Sequence, residues 1–351
     1  MERVTDIRQG VEKLLTIRGR EIPEFSLEQP GEDGFTPILL WEGKRIPLFT
    51  TRYDPRIRHI AAYGNKTEEN SALNVYAFTG RDVSLTAGQM ITLYGGTIHP
   101  EKPPFPANYT ARALEPLWSV VRSGPKDWND WMRKLAELES RAGFAMEINL
   151  EAKKLYESIP KYAEKKEALE MIREKLSNAG VIEDQSTPSR ICYRYTKPLF
   201  RYCTKKAGNT LEVKTLLEAR SIRENGRPYF DDCQMSVNID WDGKINKPWE
   251  KEAETRNEVD LILTRGTKSL FISCKNGDIE DEELYKLNTL ATKFGGPYAR
   301  KMLVATNLDR GSDAANRFFH KRAGDMGVIL LSEAASLSRA EWEAELKSAM
   351  E

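Results

Sequence analysis

The chain has 351 residues, 40% hydrophobic and 30% charged, with a formal net charge of +0. That is length enough for two or three cored domains, and it excludes wholesale disorder and a global attraction to nucleic acid, though not a local basic groove. Four cysteines (Cys192, Cys203, Cys233, Cys274) and three histidines (His59, His99, His320) show no CxxC or CxxH spacing, which argues against structural zinc and a disulfide framework.

Residues 1–100 read as mostly β. Phe35–Trp41, Arg45–Thr50 and Leu73–Thr79 are strand-like runs, and Glu42-Gly43-Lys44 reads as a hairpin connection. A helix is expected over Leu85–Tyr94, stopped by Gly95-Gly96, with a proline-rich linker at Pro100–Pro106. From Thr110 to Tyr162 the pattern turns helical. Leu114, Leu117, Trp118 and Val121, then Trp128, Trp131, Met132, Leu135 and Leu138, recur at helical spacing, a pattern of core or interface rather than base stacking. The helix Lys165–Ala179, with Leu169, Ile172 and Leu176 on one face, leads through Val181-Ile182 and the turn Thr187-Pro188-Ser189 to the strand Arg190–Tyr195. Helix followed by hairpin is how a winged-helix module ends, but no basic recognition helix accompanies it.

From Ala207 the order is helix, three strands, helix, strand. A helix opened by Gly208-Asn209 should run to about Glu224 and close at Asn225-Gly226. Strands follow at Asp232–Trp241, Val259–Thr264 and Ser269–Lys275, then a helix over Asp281–Phe294 before Gly295-Gly296. Strands Lys301–Thr306 and Gly327–Leu331 and a terminal helix from Arg339 complete the unit. The expected class is α/β, in four parts: a mixed α/β N-terminal module (1–106), a helical linker (107–162), a winged-helix-like unit (163–206) and an α-β-β-β-α-β domain (207–351). No apolar run of about 18 residues occurs and the start MERVTDIRQG lacks a signal-type apolar core, so a cytoplasmic protein without membrane contact is expected.

The hairpin around Gly266-Thr267 carries the chemistry. A two-residue turn there pairs Arg265 with Lys268 and therefore sets Asp260 opposite Ser273. Period-two alternation then gathers Asp260, Glu258, Ser273 and Lys275 on one face and leaves Val259, Leu261, Leu263, Ile272 and Cys274 on the other. Glu212, one turn before Leu216, should point inward from the preceding helix. Carboxylates beside a lysine make a hard-cation site of the kind phosphodiester cleavage needs. Set against this is a partly buried ion pair of Lys275 with Glu258 or Asp260 that only satisfies the sheet face.

This layout resembles the PD-(D/E)xK nuclease superfamily, with its restriction-endonuclease-like fold. Within it, residues 165–310 resemble most the CRISPR-associated nucleases in which a cyclic-nucleotide-sensing CARF domain precedes the nuclease. The likeness is carried by Gly208-Asn209-Thr210-Leu211-Glu212, Phe230-Asp231-Asp232, Asn257-Glu258-Val259-Asp260, Phe271-Ile272-Ser273-Cys274-Lys275, Leu290 through Gly295-Gly296, and the upstream segment Glu170–Tyr195. It implies a Mg²⁺- or Mn²⁺-dependent endonuclease acting on DNA or RNA in antiviral defence, switched by a cyclic oligoadenylate and acting as a homodimer. Asp260, Lys275, Glu212 and Ser273 take the catalytic positions, and Asp260, Glu258 and Glu212 the metal positions.

Two departures stand out. Serine occupies position 273, where the family has an acid; either Glu258 or Glu212 supplies the missing charge, or the site has decayed into a silent nucleic-acid-binding or effector fold. Residues 1–73 do not match the start of a sensing domain, so that module is truncated and diverged or replaced. Tyr285, Lys286, Lys205 and Lys206 are the candidate nucleic-acid contacts. Lys293, Arg300-Lys301, Arg310, Arg317 and Lys321-Arg322 are further scattered basics, and Asp278, Glu280 and Asp281 read as a helix start. The tryptophan-rich helices Leu114–Leu138 are expected to offer a dimer surface.

Overall fold

The computed structural model describes residues 86–93, 96–100, 105–106, 108–240, 257–266, 268–277, 279–295 and 299–351, together with the backbone of five strands before residue 79. Strands β1 (Phe25–Glu28), β2 (Ile38–Trp41) and β3 (Lys44–Pro47) form an antiparallel sheet, and Trp41 pairs with Lys44 across the expected hairpin. Strands β4 (His59–Gly64) and β5 (Leu73–Phe78) pair antiparallel. Neither β1 nor β4 was expected from the sequence. Thr267, Asp278, Gly296 and the side chains of His59 and His99 lie outside the described residues.

Helix α1 (Ala87–Leu93) precedes β6 (Thr97–Pro100). Helices α2 (Ala111–Ser123) and α3 (Trp128–Glu139) follow, and their apolar stripes are buried, with Trp118 and Trp128 fully enclosed and Trp131 nearly so. These side chains fill the core of their own chain. The stripe is thus core, as its spacing suggested, and the three indoles are not available to a partner; any dimer contact by these helices would use their other faces.

The stretch read as helical contains a strand, β7 (Glu147–Glu151), before α4 (Ala152–Ser158). Its exposed–buried alternation around Ile148 is the period of a strand. β7 joins β8 (Ile182–Asp184) and β9 (Arg190–Tyr195) in the order β7-β9-β8, against α5 (Tyr162–Asn178), whose Leu169, Ile172 and Leu176 are buried as expected. A buried polar cluster ties this unit to its neighbours. Glu139 Oε1 accepts the hydroxyls of Tyr193 at 2.7 Å and Tyr195 at 2.6 Å, and Oε2 pairs with Arg201 at 2.9 Å. Arg201 belongs to α6 (Pro198–Lys205), which leads directly into α7 (Gly208–Ser221).

Helix α7 stops at Ser221 rather than near Glu224. Asn225 and Gly226, both with positive φ, are the turn of a small hairpin between β10 (Arg223–Glu224) and β11 (Arg227–Pro228). An Asn-Gly pair is suited to such a turn because both central residues need left-handed backbone. Then come β12 (Asp232–Asp240), β13 (Asn257–Arg265), β14 (Lys268–Lys275), α8 (Asp281–Phe294), β15 (Arg300–Ala305), α9 (Asp313–Asp325), β16 (Val328–Leu331) and α10 (Arg339–Met350). Helix α9 was not expected.

One six-stranded mixed sheet, in the order β16-β15-β14-β13-β12-β6, organises this half. The pairs β12–β13 and β13–β14 are antiparallel, whereas β14, β15 and β16 are parallel. β6 pairs antiparallel with β12, so residues read as the end of the N-terminal module extend the C-terminal sheet. Helices α7 and α10 pack on one face, and α8, α9 and α1 on the other. The protein is thus α/β, with helices on both sides of a mixed sheet.

Candidate active site

The hairpin register is the expected one. Arg265 pairs with Lys268, and the ladder continues to Leu261 opposite Ile272. There it opens. The carboxylate Oδ2 of Asp260 accepts the backbone amide of Cys274 at 2.6 Å and the Ser273 hydroxyl at 3.2 Å. The irregularity has a partner on the neighbouring strand. Met235 pairs with Leu261 and Val237 with Val259, but Ser236, opposite Asp260, has φ 49°. That left-handed conformation is costly for a residue with a Cβ and breaks the alternation of faces. In consequence Leu261 and Leu263 lie in the core under α7, while Val259 joins Val237 and Ile239 in the core under α8. The expected placement of Val259 with Leu261 and Leu263 is corrected accordingly.

Glu212 enters from α7 as expected. Its helix is anchored just before it: Asn209 Nδ2 donates to the Tyr202 carbonyl at 2.9 Å and Thr210 Oγ1 to the Cys203 carbonyl at 3.0 Å. Burial first, then the negative charges of Asp260 and Glu258, push the Glu212 carboxyl up to about 8. Asp260 is likewise raised, mainly by burial, with the Cys274 amide, Lys275 and Ser273 opposing. Desolvation is the main reason that the ionised forms are disfavoured, with repulsion between the carboxylates adding to it at Glu212.

Lys275 shares an open cleft with Glu258, Asp260 and Ser273 between the sheet and α8. Its ion pair is with Glu283 of α8, Nζ to Oε2 2.9 Å, and not with the Glu258 or Asp260 that the sequence offered. Cys274 points the other way, buried against α7, its sulfur 3.7 Å from Thr215 Oγ1.

With this geometry in hand, known proteins place the domain. Residues 204–337 match the family of Card1-like endonuclease domains. The match bears out the resemblance to CRISPR-associated nucleases over that part of the chain. No curated protein matches. Among solved structures, the protein VC1899 from Vibrio cholerae aligns with 95% of this chain and 70% of its own, at 18% identity and a TM-score of 0.51, a likeness of fold. Can2 from Sulfobacillus thermosulfidooxidans, in complex with cyclic tetra-adenylate, aligns with 83% of this chain and 68% of its own, at 13% identity and a TM-score of 0.45.

The remaining candidates scatter around the cleft. Lys286 lines the cleft, whereas Tyr285 beside it is 52% exposed and is not part of the cleft wall. Lys206 lies near enough to Glu212 to oppose its upward shift, and Lys205 turns its ammonium to the Phe144 ring at 5.7 Å. Arg310 and Arg322, read as phosphate contacts, both bind Asp281 at the start of α8, and hold its carboxyl below its ordinary range. Glu283 was missed. It shares a helical stripe with the buried Leu287, Leu290 and Phe294, a spacing that turns it toward the sheet and was visible in the sequence.

Among the described residues, no three His, Cys, Asp or Glu side chains converge closely enough, as they stand, to hold a metal ion. The chemistry of the donors nevertheless fits a hard cation. Mg²⁺ is commonly bound through one or two carboxylates, with water and substrate phosphate completing its shell. The raised Glu212 and Asp260 mark a place where positive charge would be stabilising.

Proposed function

We propose that this protein is a divalent-cation-dependent endonuclease that hydrolyses phosphodiester bonds in DNA, RNA or both, within CRISPR-type antiviral defence. The match of residues 204–337 to an endonuclease domain supports the reaction class. The observation that carries the reading is Asp260, held where the hairpin opens in one cleft with Lys275, and near enough to Glu212 for its charge to help push that carboxyl up to about 8.

In this reading Asp260, Glu212 and Glu258 would hold Mg²⁺ or Mn²⁺. The ion's contribution is to polarise the scissile phosphate and acidify an attacking water. Water adds to phosphorus, the ester P–O bond breaks, and the leaving oxygen takes up a proton. Lys275 offsets the charge that develops on the phosphate or orients the water. Ser273 keeps Asp260 in place through its hydroxyl. Glu212, kept protonated near neutral pH mainly by its burial, would ionise to serve as a cation ligand. Lys286 and Lys206 contact the phosphates that flank the scissile one, with Lys205 and Tyr285 farther out.

Switching by a cyclic oligoadenylate and action as a homodimer complete the proposal, and both rest on the family resemblance. Among the described residues no helix is long and apolar enough to cross a membrane.

The test is cleavage of single- and double-stranded DNA and of RNA with Mn²⁺ or Mg²⁺, with and without a panel of cyclic oligoadenylates. Wild type should cut, and Asp260→Ala and Lys275→Ala should not. One observation favours a second reading, a silent fold: a neutral hydroxyl occupies position 273 and is satisfied by Asp260 itself. Absence of both cutting and Mn²⁺ binding under every condition would select it.

A further inference from the structure

Ser273 leaves the hairpin one negative charge short of its family pattern, and a carboxylate from another element stands in the same cleft. Glu283, in the first turn of α8, places Oε2 2.9 Å from Lys275 Nζ, with both side chains 29% exposed. It lines the cleft together with Asp260, Glu258 and Ser273. We infer that Glu283 is a relocated acid: it supplies, from the helix, the carboxylate that the strand lacks at position 273, serving as a cation ligand and holding Lys275 at the cleft. The inference deepens the nuclease reading and rests on it.

The plain alternative is that Glu283 belongs to a run of acids at a positive helix end. Its neighbours fill that role differently. Asp281 is bound by Arg310 and Arg322, and Glu282 is exposed. Glu283 instead shares its stripe with Leu287 and Leu290, the buried contacts of α8 with the sheet. A carboxylate added only for the helix dipole has no reason to turn toward the charged face of the hairpin and take Lys275 as its partner. The geometry is also economical in reach: Ser273 and Lys275 lie two residues apart on one face of β14, and a group that contacts Lys275 from across the cleft faces the space above Ser273 as well.

The experiment uses the full chain as wild type, Glu283→Gln, Ser273→Glu and the double variant. Mn²⁺ affinity is measured by titration calorimetry and cleavage at sub-saturating Mn²⁺. Glu283→Gln should weaken Mn²⁺ binding by about ten-fold or more, within the range seen when groups supporting a metal site are lost. It should slow cleavage in parallel while its melting midpoint in EDTA stays near that of wild type. The double variant, with a carboxylate returned to position 273, should recover both binding and cleavage. A Glu283→Gln protein that binds and cuts as wild type does would overturn the inference and leave the nuclease reading standing. So would a loss that Ser273→Glu fails to rescue, because Glu283 would then act only on Lys275. Wild type that neither binds Mn²⁺ nor cuts would sink the nuclease reading and this inference with it.

Discussion

The backbone amide of Cys274 donates to Asp260 Oδ2 at 2.6 Å, so the residue we propose as a cation ligand also closes the hairpin where its ladder ends. The two roles separate by substitution. Asp260→Asn keeps an oxygen acceptor for the amide, whereas Asp260→Ala leaves a buried donor unsatisfied, at a cost of about 1–3 kcal/mol. Both variants should lose Mn²⁺-dependent cleavage. Only the alanine variant should show a clearly lower unfolding midpoint in EDTA, and equal melting of the two would contradict the structural half of this account.

Glu212 gives a pH dependence of definite sign. Its carboxyl is raised from 4.5 to about 8, so between those values the folded chain binds a proton that the unfolded chain has released. The stabilisation is complete below the lower value and is lost as pH rises through the upper one. In EDTA, wild type should therefore lose stability relative to Glu212→Gln between pH 6 and pH 9. Parallel melting curves across that range would show that the carboxyl is not raised. Mn²⁺ binding near pH 7 should release protons, seen as a calorimetric heat that depends on the buffer.

The cluster around Glu139 should govern stability rather than chemistry. Glu139 is fully buried, and burial raises its carboxyl against the opposing pull of Arg201 and two tyrosine hydroxyls. Glu139→Leu strands the Arg201 guanidinium and should cost about 3–5 kcal/mol, the range for breaking a buried pair from one side. Urea denaturation measures this. A loss below about 1 kcal/mol would mean that water reaches the cluster.

Lys286 should report on nucleic acid alone. Lys286→Ala should weaken binding about equally across sequences and reduce the salt dependence by roughly one phosphate contact. Fluorescence anisotropy in EDTA at several salt concentrations would show it. Tyr285→Ala should weaken single-strand binding by about 1–3 kcal/mol if the exposed ring stacks on a base. An unchanged affinity would remove Tyr285 from the interface.

The hairpin register was legible because a two-residue turn fixes which residues face each other, and one slipped residue would have inverted every side chain. Val259 was misplaced because the cause lies at Ser236, on a strand that meets β13 only in the folded state. Helix α9 escaped notice for want of an apolar stripe: only Phe319 and Ala323 of its 13 residues are buried. In α7 the charges concealed the burial, since Lys214 and Glu218 are enclosed and pair at 2.8 Å. The strand Glu147–Glu151 was read into a helix because its neighbours on both sides are helical.

The pairing of Thr97–Pro100 with Val237–Asp240 gives the two halves of the chain a shared outline. The rim of the large mixed sheet is lent by residues that precede the long helices, so the half that carries it is not contiguous in sequence. A cut in the proline-rich stretch after Pro100 would not by itself release a finished domain. If the freed piece departed, β12 would be left with a bare row of amide and carbonyl groups, a template for another chain to pair with. Trimming this protein to its endonuclease-matching residues would therefore tend toward aggregates or exchanged strands rather than a smaller working enzyme.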